Sequence, residues 1–114
     1  MAECIFCRIA AGEIPAEVVH RDEDIIAIRD IDPQAPKHIL IIPRSHIPSL
    51  AQVSQEQREL MGRAVLLAVE LARGEGMAQS GYRLVINSGP DGGQVVPHLH
   101  LHLLGGKALS PQMG

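Results

Sequence analysis

The run Pro97-His98-Leu99-His100-Leu101-His102-Leu103-Leu104 constrains this chain more than any other segment. Histidine and leucine alternate through it with a period of two, the period of a β-strand. A strand here sends three imidazoles to one face and the leucines to the other. The leucine face reads as core and the histidine face as a site.

Around that strand the chain divides into short elements set off by Pro and Gly, with no repeat, low-complexity tract or linker. Cys4 to Ala11 reads as a short helix stopped by Gly12. Glu17–His20, Ile25–Arg29 and His38–Pro43 read as three strands, the last two separated by the loop Asp30-Ile31-Asp32-Pro33-Gln34-Ala35-Pro36. Ser54-Gln55-Glu56-Gln57 has the form of a capping box and opens a long helix to about Arg73. Leu60, Ala64, Leu67, Ala68 and Leu71 fall on one side of that helix, which predicts that it packs on a sheet. Gly74 and Gly76 end it, Tyr82–Asn87 reads as a fourth strand, and Ser88 to Gln94 forms a glycine-rich loop before the fifth strand, His98–Leu104. Five strands, one long helix and one short helix, without strict alternation, predict an α+β fold with a mostly antiparallel sheet. At 114 residues, positions 1–114 are expected to form a single domain.

With one Phe, one Tyr and no Trp, the core has to be aliphatic. Ten basic against thirteen acidic side chains give a formal charge of -3 and no stripe of Lys and Arg, so nucleic acid is not an expected partner. No run approaches the roughly 20 apolar residues that span a bilayer, so no membrane partner is expected. The opening Met1-Ala2-Glu3-Cys4 has no basic segment followed by an apolar run, which sets the expectation of a cytoplasmic protein with Cys4 and Cys7 as reduced thiols.

Two chemistries are open for the histidine face. Alternate imidazoles on a strand can hold a metal ion together, but a catalytic zinc usually has an acidic general base nearby, and the twelve residues after His102 contain no Asp or Glu. Nucleophilic attack on phosphorus fits better, because a neutral imidazole attacks without the activation a serine requires.

The motif of His, apolar, His, apolar, His and two apolar residues at 98–104 resembles that of the histidine triad (HIT) family. The likeness extends to Cys4-Ile5-Phe6-Cys7, Ile14-Pro15, Asp30-Ile31, Pro36-Lys37-His38 and Ile42-Pro43-Arg44-Ser45-His46. It continues through Asn87-Ser88-Gly89, Asp91-Gly92-Gly93-Gln94 and Leu104-Gly105-Gly106. These segments cover nearly the whole chain in the order of the Hint branch, the histidine triad nucleotide-binding proteins that act as purine nucleoside phosphoramidases. The third histidine separates the chain from the nucleotidyltransferase branch, which carries Gln there.

The resemblance implies a HIT-like fold, a homodimer joined through the long helix and fourth strand, and hydrolysis of the P–N bond of adenosine or guanosine phosphoramidates, with aminoacyl adenylates as a further substrate class. It implies His100 as the nucleophile that becomes nucleotidylated, His102 as a donor to the phosphate or leaving group, and His38 as the residue that orients His100. Asp30 would accept from the ribose hydroxyls. Phe6, Ile9, Ile28, Ile31 and Leu40 would wall the purine, and Asn87, Gln94 and the loop amides from Gly89 to Gly93 would hold the phosphate. Taken without the family, His38 is a turn residue, Asp30 a turn cap and the apolar five ordinary core.

Three departures stand out. Val95 occupies a place where many Hint proteins have a phosphate-bonding serine, Pro97 one where an aromatic is common, and the tail from Lys107 lacks a tryptophan found in many relatives. Cys4 and Cys7 lack the strand, helix, strand context of a redox pair, and some bacterial HIT proteins complete a structural zinc site from the positions of His46 and His98. In that case His98 serves the metal while His100 and His102 do the chemistry, and no cofactor is required for catalysis. The alternatives are a dinucleoside polyphosphate hydrolase, the chemistry of the related Fhit branch, and a nucleotide-sensing module whose hydrolysis is vestigial, favoured by Val95.

Overall fold

The computed structural model describes residues 4–112; Met1, Ala2 and Glu3 of the opening segment and Met113 and Gly114 of the tail lie outside them. Helix α1 spans Ile5–Ala10, with the Cys4 sulfur accepting from the Cys7 amide as its N-cap. Strands β1 (Val18–Arg21), β2 (Ile25–Arg29) and β3 (Lys37–Pro43) follow. Ser54 and Gln57 form the expected capping box, but the box caps a single 3-10 turn, and helix α2 proper runs from Arg58 to Gly74. Strands β4 (Tyr82–Val85) and β5 (Leu101–Gly105) complete the fold. Helix α2 hands over to a turn at Gly76, whose φ of 80° lies in the left-handed region that glycine enters without a Cβ penalty.

The five strands form one antiparallel sheet in the order β1-β2-β3-β5-β4. The last strand is thereby inserted between β3 and β4. Strands β2 and β3 carry apolar residues at consecutive positions because both faces of the sheet are covered. On one face Ile25, Ala27, Ile39, Ile41, Leu101 and Leu103 pack against Ala64, Leu67, Ala68 and Ala72 of α2, with Leu60 and Leu71 at the margin. On the other face Ile26, Ile28, Leu40 and Ile42 pack against Cys4, Phe6, Ile9 and Ala10 around α1.

Two of the boundaries that differ from the expected ones bear on the site. Pairing of β5 begins at Leu101, so His98 and His100 precede the ladder and only His102 lies in it. The alternation of faces nonetheless holds, with Leu99, Leu101 and Leu103 all buried. Strand β4 stops at Val85, two residues short of the expected Asn87. Among the described residues no helix is long and apolar enough to cross a membrane.

Candidate active site

Strand β3 brings His38 to the histidine face, as part of a regular ladder and not of a turn. His38 is paired with Leu104 and Leu40 with His102, which makes His38 and His102 diagonal neighbours across β3 and β5. Their rings meet through His38 Nε2 and His102 Nδ1 at 3.0 Å. The expectation that His38 orients His100 is therefore corrected: its hydrogen bond goes to His102, because the diagonal register puts that ring within reach.

The hydrogen bonds assign a tautomer to each ring. The Gln34 amide donates to His38 Nδ1 at 3.0 Å, so that nitrogen carries the lone pair and His38 carries its proton on Nε2. His38 Nε2 then donates to His102 Nδ1, which leaves the His102 proton on Nε2. His100 is held the opposite way: its Nδ1 donates to the His98 carbonyl at 2.6 Å, so the neutral ring has a bare lone pair on Nε2. Two adjacent imidazoles, with centroids 4.9 Å apart, thus have free Nε2 positions of opposite character, one nucleophilic and one donating.

Burial favours the neutral state of His102 and His38. Loss of solvent, helped by the charges of His100 and His38 and opposed by Asp30, lowers the His102 pKa to about 4. Burial also lowers His38, against the pull of Asp30 and Asp32. Asp30 lies with Oδ2 3.5 Å from His38 Nε2, while its Oδ1 caps its own turn by accepting from the Asp32 amide at 2.8 Å. Asp30, His38 and His102 are close enough for a cation to touch all three. A metal on His38 Nε2 would drive the proton onto Nδ1, where the Gln34 amide already points, so this trio is built for hydrogen bonding.

Beneath the rings lies Phe6 of α1, edge-on to His100 at 4.9 Å and to His98 at 5.8 Å. Phe6, Ile9, Ile28 and Leu40 are all buried in the α1 layer. Ile31 is 97% exposed and Val95 89%, so neither is core. Val95 lines an apolar cleft of about 460 Å³ with Ile5, His46, Pro48 and Pro97.

The loop after β4 is braced from within. Asn87 Nδ2 donates to the Gly92 carbonyl, and Gln94 accepts from the Gly89 amide while donating to the carbonyls of Pro48 and Val96. The amides of Gly92, Gly93 and Gln94 are themselves spent on turn bonds to Gly89 and Pro90 carbonyls. Gly92 is required there, since a Cβ would run into the Ser88 carbonyl. The Gln94 side chain is thus a brace for the loop.

His98 turns away from the other two. Its Nε2 donates to the Pro43 carbonyl at 2.7 Å, which leaves a lone pair on Nδ1. That atom lies 3.2 Å from Cys4 Sγ, 3.6 Å from Cys7 Sγ and 3.2 Å from His46 Nδ1, and His46 Nδ1 lies 3.3 Å from Cys7 Sγ. A tetrahedral zinc with ordinary bond lengths has edges of about 3.6 Å between sulfur and nitrogen and about 3.3 Å between nitrogens. These four edges come near that tetrahedron and all four donors lie within 4.8 Å of one another, and the Pro43 carbonyl provides the outer hydrogen bond that metal-ligating histidines usually have. The remaining histidine, His20, bonds Asp22 in the β1–β2 turn.

Comparison with known proteins agrees with this geometry, for residues 11–109 match the HIT domain. The chain belongs to the HIT domain family. A HIT family hydrolase from Legionella pneumophila Philadelphia 1 superposes with a TM-score of 0.96 at 50% identity, covering 98% of this chain and 100% of that one. The purine nucleoside phosphoramidase of Escherichia coli K12 is 48% identical over 97% of this chain and 93% of its own. A 14 kDa zinc-binding protein of Zea mays is 46% identical over 93% of this chain and 84% of its own.

Within this HIT chain three groups escaped the sequence reading: the Gln34 amide, the Pro43 carbonyl and the His98 carbonyl. Each acts through its backbone, so no residue type announces it.

Proposed function

We propose that the chain is a purine nucleoside phosphoramidase working through a covalent nucleotidyl-His100. The observation that carries this reading is the pair of opposed tautomers, a bare Nε2 on His100 beside a protonated Nε2 on His102. In the first step His100 Nε2 bonds to phosphorus, the P–N bond breaks, and its electron pair leaves on the amine, which takes a proton from solvent. His102 Nε2–H donates to a phosphoryl oxygen and stabilises the charge there; a ring with a pKa so low is a hydrogen-bond donor and not the acid. In the second step water attacks phosphorus and gives up a proton to solvent, the P–Nε2 bond breaks with its electron pair returning to Nε2, and the nucleoside monophosphate and neutral His100 are released. Aminoacyl adenylates offer the same phosphorus with a carboxylate leaving group.

The purine lies against Phe6, Ile9, Ile28, Ile31 and Leu40, where the 97% exposure of Ile31 leaves apolar surface for a base to cover. Asp30 Oδ2 accepts from the ribose. Asn87 holds the phosphate with its second N–H, on a loop shaped by Gly93 and braced by Gln94. Val95 supplies no donor, the one feature that favours a slow, nucleotide-sensing protein over an efficient enzyme.

Cys4, Cys7, His46 and His98 hold a structural zinc in this reading, supported by their spacing and by the maize relative's name. When bound, the ion supplies cross-linking, joining α1 to the segment that leads into the triad. The homodimer uses α2 and the free edge of β4, where Val65, Leu66 and Tyr82 leave 41%, 63% and 38% of their surfaces exposed. A cytoplasmic location, with neither nucleic acid nor membrane as partner, completes the reading.

The deciding experiment is steady-state hydrolysis of a fluorogenic adenosine phosphoramidate by the wild type and His100→Ala, before and after chelation. Turnover that survives chelation and vanishes in the variant supports the reading. Turnover lost with the metal and restored by zinc in an intact fold points to a metallohydrolase instead.

A further inference from the structure

Two cations, Arg83 and Lys107, lie near the site without a role assigned so far. Arg83 on β4 faces Leu104 on β5, and Val85 faces His102, so one step along the same sheet face separates Arg83 from the catalytic ring. Diagonal neighbours of this kind lie roughly 7–8 Å apart, within reach of a long side chain. Arg83, Leu104, Lys107, Ser110 and Gln34 line a cleft of about 360 Å³. No carboxylate lines it, and among the described residues neither Arg83 nor Lys107 pairs with an acid. Arg83 gives one N–H to the Ser110 carbonyl, which fixes the guanidinium and leaves its other donors free.

The cleft is also on the correct side of the reaction. His98, His100, His102 and Leu104 follow one another along one face, so the cleft lies beyond His102 as seen from His100. A nucleophile and leaving group stand roughly in line across phosphorus, which sends the departing group away from His100. Asp30, in the loop after β2, sets a negative charge 3.5 Å from His38 Nε2.

We propose that this cleft is the leaving-group subsite and that Arg83, with Lys107, selects amines carrying a carboxylate, such as amino acids joined through nitrogen to the nucleotide phosphate. The assignment rests on the phosphoramidase reading above. It adds a second recognition element, in which a planar guanidinium takes a carboxylate by two parallel N–H bonds.

The test compares adenosine phosphoramidates of an amino acid and of the corresponding amino-acid amide, which differ in one charge. Steady-state kcat/KM is measured with wild type, Arg83→Gln, Arg83→Lys and Lys107→Gln, and binding of the intact compounds to His100→Ala is measured by calorimetry with and without Arg83→Gln. The expected result is a preference of about fivefold or more for the carboxylate, the scale of one partly exposed ion pair. That preference collapses in Arg83→Gln, partly survives in Arg83→Lys and falls with salt. Equal handling of both compounds, or a loss in Arg83→Gln shared equally by both, overturns the assignment and leaves Arg83 as an anchor for the Ser110 segment. A dinucleoside tetraphosphate turned over as well as the amino-acid compound, and equally dependent on Arg83, assigns the cleft to phosphate and also overturns it. If neither phosphoramidate is hydrolysed the phosphoramidase reading falls, while the charge preference in binding to His100→Ala still decides the cleft.

Discussion

The two faces of the central strands are made from alternate residues of the same segments and behave as different materials. Toward α2, Ile39, Ile41, Leu101 and Leu103 are fully buried among aliphatic neighbours. Toward α1, one residue out of step, the same strands present His38, Leu40 and His102 beside Phe6 and His100. The first face is held by burial and close packing, which act without direction. On the second, directional hydrogen bonds set the tautomer of each ring and leave Nε2 of His100 and His102 free, while no fully buried side-chain nitrogen or oxygen among the described residues lacks a partner. The comparison teaches that the dry face sets the register and the polar face uses it.

The sharpest way to break that division is to alter each face and ask which property moves. His100→Ala should lower kcat by about 10³-fold or more, the scale of losing a nucleophile, with thermal unfolding little changed. A large loss of stability would show that the polar face also carries the fold. Leu103→Ala, on the dry face, should cost about 2–5 kcal/mol in denaturant unfolding while surviving folded molecules keep their kcat. A selective drop in kcat would show instead that the faces are coupled. His38→Ala should lower kcat about 10- to 100-fold, with a smaller effect on KM, because His102 loses the bond that sets its proton on Nε2.

Acid should separate the faces more gently. His102 and His38 are depressed in the folded state, so between about pH 6.5 and 4 the unfolded chain binds protons that the folded one refuses. Their contribution to stability is present above about pH 6.5 and is lost as pH falls toward 4; denaturant midpoints across that range check the sign. His38→Ala should flatten the slope. The smallest expected effect is that of Phe6→Leu, which keeps the α1 layer apolar but removes the edge contacts to His98 and His100; a few-fold rise in KM for the nucleotide is expected, measured beside wild type.

Much of this was legible before any coordinates. The three histidines, the face of α2 that meets the sheet and the capping box follow from residue type and spacing, while the Cys4, Cys7, His46, His98 set was implied by the resemblance to the HIT family. The Ser54 box was legible too, though its first turn is 3-10, since the side-chain bonds are the same for either helix. His38 was not legible from its own neighbourhood: after Pro36-Lys37 it looks like a turn residue, and only the pairing of β3 with β5 shows its role. Ile31 looks apolar and therefore core, yet the Asp30 turn holds it outside, because a carboxylate capping its own loop takes precedence over one side chain's burial.

What the sequence by itself determined is local: period two directs Leu and His to opposite faces through backbone sterics alone, and helical spacing selects the buried side of α2. What only the tertiary structure decided is which of these groups meet. Inserting β5 between β3 and β4 brings His102 to His38, sixty-four positions away, and brings His98 to Cys4, ninety-four positions away. The physical reason is that register is chosen by burying Ile39, Ile41, Leu101 and Leu103 together under α2. That choice, made on the dry face, places His38, His100 and His102 on the other.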